Sequence, residues 1–138
     1  VPPTTKIMGY GTNMIVRTLD TPSGPVEYWR VIRMLAKSYS AGTSGTSPSS
    51  SWYGRTSTGM QMGFGIVAVD PRVINLRSRV YVPGYGVGVA GDTGGSIKGR
   101  RIDMGFDDSN LQLWYRWVDV YLLTPVPANI DYTLGLQQ

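Results

Sequence analysis

Between Gly84 and Gly105 the chain places eight glycines in 22 residues: Gly84, Gly86, Gly88, Gly91, Gly94, Gly95, Gly99 and Gly105. A helix cannot carry that density, because each interior glycine costs about 1 kcal/mol relative to alanine. Turns with positive φ can, and so can places where backbone or ligand approaches closely. The runs around these glycines are short and rich in β-branched or aromatic residues: Phe64 to Val69, Arg79 to Val82, Val87 to Ala90 and Arg101 to Phe106. Such segments bounded by turn residues read as strands. With 18 Gly and 9 Pro among 138 residues and only 16% charged residues, the chain reads as one turn-rich all-β domain. A helical repeat and a coiled coil are excluded.

Upstream, Ile7 to Asp20 and Val26 to Ser40 read as β-type runs separated by the turn Thr21-Pro22-Ser23-Gly24-Pro25. Val26 to Tyr39 carries two signals. Val31, Ile32, Met34 and Leu35 could share a helix face, but Tyr28, Trp29 and Val31 favour a strand, which is the expectation. Ser40 to Ser51 is almost entirely Ser, Thr and Gly and reads as a long polar loop, either functional or a plain insertion. Asp107 to Leu113 is the one helix candidate, with Asp107 or Asp108 as N-cap. Trp117 to Leu123 is the final strand, and the tail from Pro125 is weakly patterned.

The chain has no Cys and no His. A thiol nucleophile, a disulfide framework, a Ser-His-Asp triad and a His- or Cys-ligated zinc site are therefore excluded within one chain. Acid–base work falls to carboxylates, Lys, Tyr or the termini. The net charge is +4, and no acid lies between Glu27 and Asp70, whereas Arg30, Arg33, Lys37 and Arg55 do. That balance suits a polyanion such as nucleic acid, anionic lipid or an acidic cell-wall polymer, or else a plain solvated basic surface. No Lys/Arg cluster marks a nucleic-acid face, and no apolar stretch of membrane-spanning length occurs. The start, Val1-Pro2-Pro3-Thr4, reads as a linker, as expected of a piece or mature form of something longer.

The nine acids can be weighed singly. Asp20, Glu27 and Asp131 sit near turns or ends and are expected in solvent. Asp119 alternates with apolar neighbours and should face out. Asp107 and Asp108 are explained by helix capping. Asp70, Asp92 and Asp103 remain, each at the end of or inside an apolar run, where a charge is costly unless paired or used. Asp70 before Pro71 and Asp92 before Thr93-Gly94 also read as turn formers. Asp103, mid-run in Ile102-Asp103-Met104, needs a stronger reason, and a neighbouring carboxylate such as Asp92 would raise its pKa. Two converging carboxylates without His or Cys form a minimal kit for cleaving a glycosidic bond. Trp52, Tyr53, Tyr81 and Tyr85 offer stacking faces, or else fill the core. A competing reading takes Asp92-Thr93-Gly94 as the triplet of a dimeric aspartic protease, although Gly91 stands where an apolar residue is expected.

Three segments carry a resemblance: Val67-Ala68-Val69-Asp70-Pro71, Arg79-Val80-Tyr81-Val82-Pro83-Gly84-Tyr85-Gly86, and Gly91-Asp92-Thr93-Gly94-Gly95-Ser96-Ile97-Lys98-Gly99-Arg100-Arg101-Ile102-Asp103. Over roughly Leu35 to Leu123 the chain resembles the three-aspartate (3D) domain family, related to membrane-bound lytic transglycosylase A and to the stationary-phase muralytic enzymes. Lys6 to Thr12 is similar to the end of a G5-type domain. The resemblance implies residues 1–34 as N-terminal linker and strands, residues 35–123 as a six-stranded double-psi β-barrel with one short helix and long loops, and residues 124–138 as a tail. It implies an extracellular or cell-wall peptidoglycan lytic transglycosylase that needs no cofactor or metal. Peptidoglycan glycan strands would be the partner, with neither nucleic acid nor a membrane span, and no oligomeric state is indicated. By position in the motif, Asp103 matches the catalytic acid/base, Asp92 its supporting carboxylate, and Asp70 the third aspartate, so all three are implied as catalytic residues. Tyr39, the Thr56-Ser57-Thr58-Gly59 turn, Thr93, Gly94, Gly95 and Lys98 are the implied substrate-side residues. Met60 departs from a commoner small polar residue. The alternatives are a non-catalytic wall-binding module and a hydrolytic or expansin-like barrel.

Overall fold

The computed structural model describes residues 5–9, 13–43, 54–94 and 96–127. Eight strands are found among them: β1 (Thr5–Gly9), β2 (Asn13–Thr21), β3 (Gly24–Tyr39), β4 (Ile66–Val69), β5 (Arg79–Val82), β6 (Gly86–Asp92), β7 (Arg101–Gly105) and β8 (Tyr115–Leu123). Six of them close on themselves in the order β3-β7-β4-β6-β5-β8, with β8 returning to β3. The β3–β7 and β4–β6 pairs are parallel and the others antiparallel. This is the expected double-psi β-barrel. β1 and β2 form an antiparallel ribbon that continues from the first part of β3.

β3 shows why the strand signal prevailed over the helical one. Ile32, Met34 and Ala36 are buried while Val31, Arg33 and Lys37 are exposed, a period of two. The turn after β2 is tight: Thr21 Oγ1 donates to the Gly24 carbonyl at 2.6 Å, and Gly24 takes φ +120°. Residue 35, the expected start of the barrel, falls inside β3, whose pairing with β8 begins at Tyr28. Inward side chains of all six strands, among them Val67, Val80, Ala90, Ile102, Met104 and Val120, meet in one core.

The helix expected over Asp107 to Leu113 is corrected to a single 3-10 turn, Asp108–Asn110. Both candidate caps bind other segments: Asp107 Oδ1 accepts from the Phe64 N–H and Asp108 Oδ1 from the Gly42 N–H. Leu111 is extended and packs against the core, which ends the turn.

Tyr81 and Tyr85, candidates for stacking faces, are core residues at 7% and 8% exposure. The Tyr85 hydroxyl donates to the Gly105 carbonyl at 2.6 Å and accepts from the Gly65 N–H at 2.7 Å, so it ties β7 to the entry of β4. Its ring packs on Phe64, Phe106 and Trp114. Trp52, Tyr53 and all of the Ser40–Ser51 loop beyond Thr43 lie outside the described residues.

Candidate functional site

The barrel's outer face over β6, β4, β7 and β3 carries one continuous row of side chains. Ala68 pairs with Asp103 across the antiparallel β4–β7 ladder and with Asp92 across the parallel β4–β6 ladder. Asp103 in turn pairs with Lys37 of β3. Residues opposite one another in a ladder share a face, so the row reads Asp92, Ala68, Asp103, Lys37. The two aspartates stand two strand spacings apart, about 10 Å between backbones. Alanine between them leaves the space over the sheet open.

Asp92 reaches this row through an irregularity. Val67 pairs with Ala90, but Ala68 pairs with Asp92, so Gly91 is an extra residue in β6. Such a bulge shifts every following side chain to the opposite face. Gly91 is closely covered there: a Cβ would lie 2.7 Å from Met60 Sδ and 3.0 Å from Ile66 Cγ2, so a larger residue would require these side chains to shift. The Thr56–Gly59 turn closes over the bulge: Thr58 Oγ1 donates to the Gly91 carbonyl at 2.7 Å, and Thr56 Oγ1 accepts from the Met60 N–H at 3.1 Å.

Asp92, Ala68 and Asp103 of this row floor a cavity of about 250 Å³, also lined by Tyr39, Met62, Thr93, Gly94, Ser96 and Ile97. By contrast, the crevice beside Trp29 and Ile74 holds about 20 Å³. That is room for roughly one water and not for a sugar.

Asp92, 8% exposed, is held by three donors. Its Oδ1 accepts from the Ser57 and Thr93 N–H groups, both at 2.9 Å, and its Oδ2 from the Tyr39 hydroxyl at 3.3 Å. Burial, reinforced by the Asp92 charge, pushes the Tyr39 phenol far up, so Tyr39 is a permanent neutral donor. Asp103 is half-buried, and among the described residues nothing hydrogen-bonds to its carboxyl. Burial raises its pKa above the ordinary 3.8, Lys37 and Arg101 pull it back, and the Asp92 charge raises it further. One carboxyl is thus fixed by donors, and the other is unanchored and biased toward its protonated form.

Asp70 is not on this cavity. Its carboxylate, 1% exposed, accepts from the Arg72 N–H at 3.0 Å, from the Arg72 guanidinium at 3.1 and 3.3 Å, and from the Gly99 N–H at 2.9 Å. This is the turn-forming alternative, extended by a clasp onto the loop before β7. Burial works to raise its pKa, but the Arg72 and Gly99 hydrogen bonds prevail and hold it at about 2. A group whose folded pKa is depressed adds stability above its unfolded pKa and loses it as pH falls through the folded one. Asp70→Asn is therefore expected to cost on the order of 2 kcal/mol at pH 7 in urea unfolding, with the gap to wild type closing between about pH 4 and pH 2.

Thr93 and Gly94 line the cavity. Thr56 is buried behind it in the turn, Lys98 is exposed and off the lining, and Gly95 lies outside the described residues. Lys37 and Ala68 were not singled out as site residues from the sequence, because only the register of β7 against β3 and β4 places them beside Asp103. Asp119 faces out as expected and meets Arg33 at 3.2 Å, an exposed pair of little energetic weight.

Residues 65–124 match the 3D domain family, a span that contains Asp70, Asp92 and Asp103. YabE of Bacillus subtilis (strain 168), a protein named for cell-wall shaping, is 39% identical over 92 residues, covering 64% of this chain and 21% of the relative. YocH of the same organism, named a cell wall-binding protein, is 43% identical over 77 residues, covering 53% of this chain and 25% of the relative. The chain thus spans about a fifth to a quarter of the length of these relatives. Among the described residues no helix is long and apolar enough to cross a membrane.

Proposed function

We propose that this chain, whose residues 65–124 match the 3D domain family, is a peptidoglycan lytic transglycosylase acting in the cell wall. The observation that carries the proposal is the half-buried, unanchored Asp103 carboxyl on the 250 Å³ cavity, with the Asp92 carboxyl fixed across Ala68. Asp103 in its protonated form gives its proton to the β-1,4 glycosidic oxygen between N-acetylmuramic acid and N-acetylglucosamine. The bond from the muramyl C1 to that oxygen breaks, and the N-acetylglucosamine leaves with a free 4-hydroxyl. The Asp103 carboxylate then takes the proton of the muramyl C6 hydroxyl, whose oxygen closes onto C1 as a 1,6-anhydro ring. Asp103 ends protonated, and no water is consumed.

One residue serves as acid and then as base, so its pKa must suit both roles. Burial and Asp92 favour the proton before the bond breaks; Lys37, one strand away, favours the carboxylate that follows. Asp92 does not need to touch the sugar to act in this way. Its three donors hold it in place, and Ala68 keeps the gap open for substrate.

The test is mass spectrometry of purified peptidoglycan after incubation with the protein. Anhydromuropeptides are the expected products. Reducing-end products would move the protein to the hydrolases. A second reading, a non-catalytic wall-binding module, is favoured by the name of one relative. It requires tight retention on the wall with no soluble product.

A further inference from the structure

The outer face that carries the two aspartates does not end at Lys37. On the far side of β3, Lys37 pairs with Tyr115 of β8 and Leu35 with Trp117. The row across the barrel therefore runs Asp92, Ala68, Asp103, Lys37, Tyr115 over five consecutive strands. Trp117 lies one step along β8, in line with Leu35 and Arg101. By strand spacing, the Tyr115 position stands about 10 Å from Asp103. Tyr115 is 75% exposed and Trp117 53%, and Leu113, two residues before Tyr115, is 91% exposed.

These exposures do not suit an ordinary strand surface. The inward residues Val118, Val120 and Leu122 fill the core of β8, so the barrel's stability does not need large apolar groups on the other face. Exposed apolar side chains grouped on one face mark an interaction site. No aromatic ring of the described residues stacks on either ring. Cations flank them: Lys37 of the acid-free stretch sits between Tyr115 and the cavity, Arg101 lies on the same face, and so does Arg33, which is paired with Asp119. Flat rings suit the apolar faces of pyranose sugars, and ammonium and guanidinium groups suit carboxylates carried at intervals along the chain.

We infer that Tyr115 and Trp117, with Lys37, form an accessory glycan-binding platform continuous with the Asp92–Asp103 cavity, on which the same anionic glycan strand rests beyond the bond being cut. This rests on the proposed function for its substrate. The occupant is argued from this continuity: following the curve of the barrel, the row leads from Asp103 over Lys37 to Tyr115.

The test measures binding apart from turnover, by pull-down of Asp103→Asn on purified insoluble peptidoglycan, with and without Tyr115→Ala and Trp117→Ala. The double aromatic replacement is expected to weaken retention about tenfold or more, as truncating exposed aromatic anchors does elsewhere. Tyr115→Phe with Trp117→Phe, which keeps two flat rings, is expected to restore most of it. Circular dichroism of each variant checks the fold, which these solvent-facing changes should leave intact. Undiminished retention in the double Ala variant overturns the platform, and leaves the lytic reading standing if wild type still releases anhydromuropeptides. Weakened retention from a wild type that releases no product keeps the platform and removes the lytic reading. No retention of either wild type or Asp103→Asn on peptidoglycan overturns both.

Discussion

Asp103→Asn is expected to reduce anhydromuropeptide release from peptidoglycan by about 10²–10⁴-fold, the usual range for removing a positioned general acid or base. The residual rate should sit near the bottom of that range, because in this cavity the same group serves both proton transfers. Asparagine keeps the size and polarity of the side chain, so retention on the wall should change by no more than about twofold. The variant should also be at least as stable as wild type at pH 7. A carboxyl whose pKa is raised on folding opposes the folded state once pH exceeds that pKa, and the amide removes this cost. Lost turnover with retained binding and undiminished stability is the pattern of a functional acid. A structural aspartate would show the reverse, as expected for Asp70.

Gly105→Ala is expected to cost on the order of 4 kcal/mol or more and to leave little folded protein, a loss in the rare upper range for one methyl group. Gly105 ends β7 where it passes the entry of β4. An added Cβ would collide with the Ile66 carbonyl oxygen and with that of Gly63. Neither partner is a flexible side chain. Ile66 begins β4 and its N–H donates to Gly63, while the Gly105 carbonyl holds the Tyr85 hydroxyl. Moving any one of them breaks the β4–β7 ladder that sets Ala68 beside Asp103. Gly24→Ala is the contrast. It has φ +120° but nothing within 4 Å of the added methyl, so its expected cost is the backbone strain alone, about 1–3 kcal/mol. Urea unfolding of the two variants, read by circular dichroism, separates the steric effect from the conformational one.

The strands were legible because their side chains alternate. β5 lies at Arg79–Val82 as read, and β3 follows its β-branched and aromatic residues. The helix expected at Asp107 failed because capping residues carry no information about distant partners. Phe64 and Gly42 claim both side chains from segments far away in sequence. The three aspartates stood out as charges in apolar runs, but their division of labour did not. Only the Arg72 and Gly99 hydrogen bonds separate Asp70 from the other two. Only the bulge at Gly91 turns Asp92 toward the cavity. Lys37, Ala68, Tyr115 and Trp117 are ordinary strand residues until the ladders are known. Cross-strand register is set by the whole barrel, not by any one run.

The central claim is that burial and the charge of Asp92 raise the pKa of the Asp103 carboxyl above its ordinary value. The most direct test is the ¹³C chemical shift of the Asp103 carboxyl followed against pH in wild type, Asp92→Asn and Lys37→Met. The account predicts a midpoint above 3.8 in wild type, lower when the Asp92 charge is removed and higher when the Lys37 charge is removed. A wild-type midpoint at or below 3.8, or one that does not respond to Asp92, would contradict it.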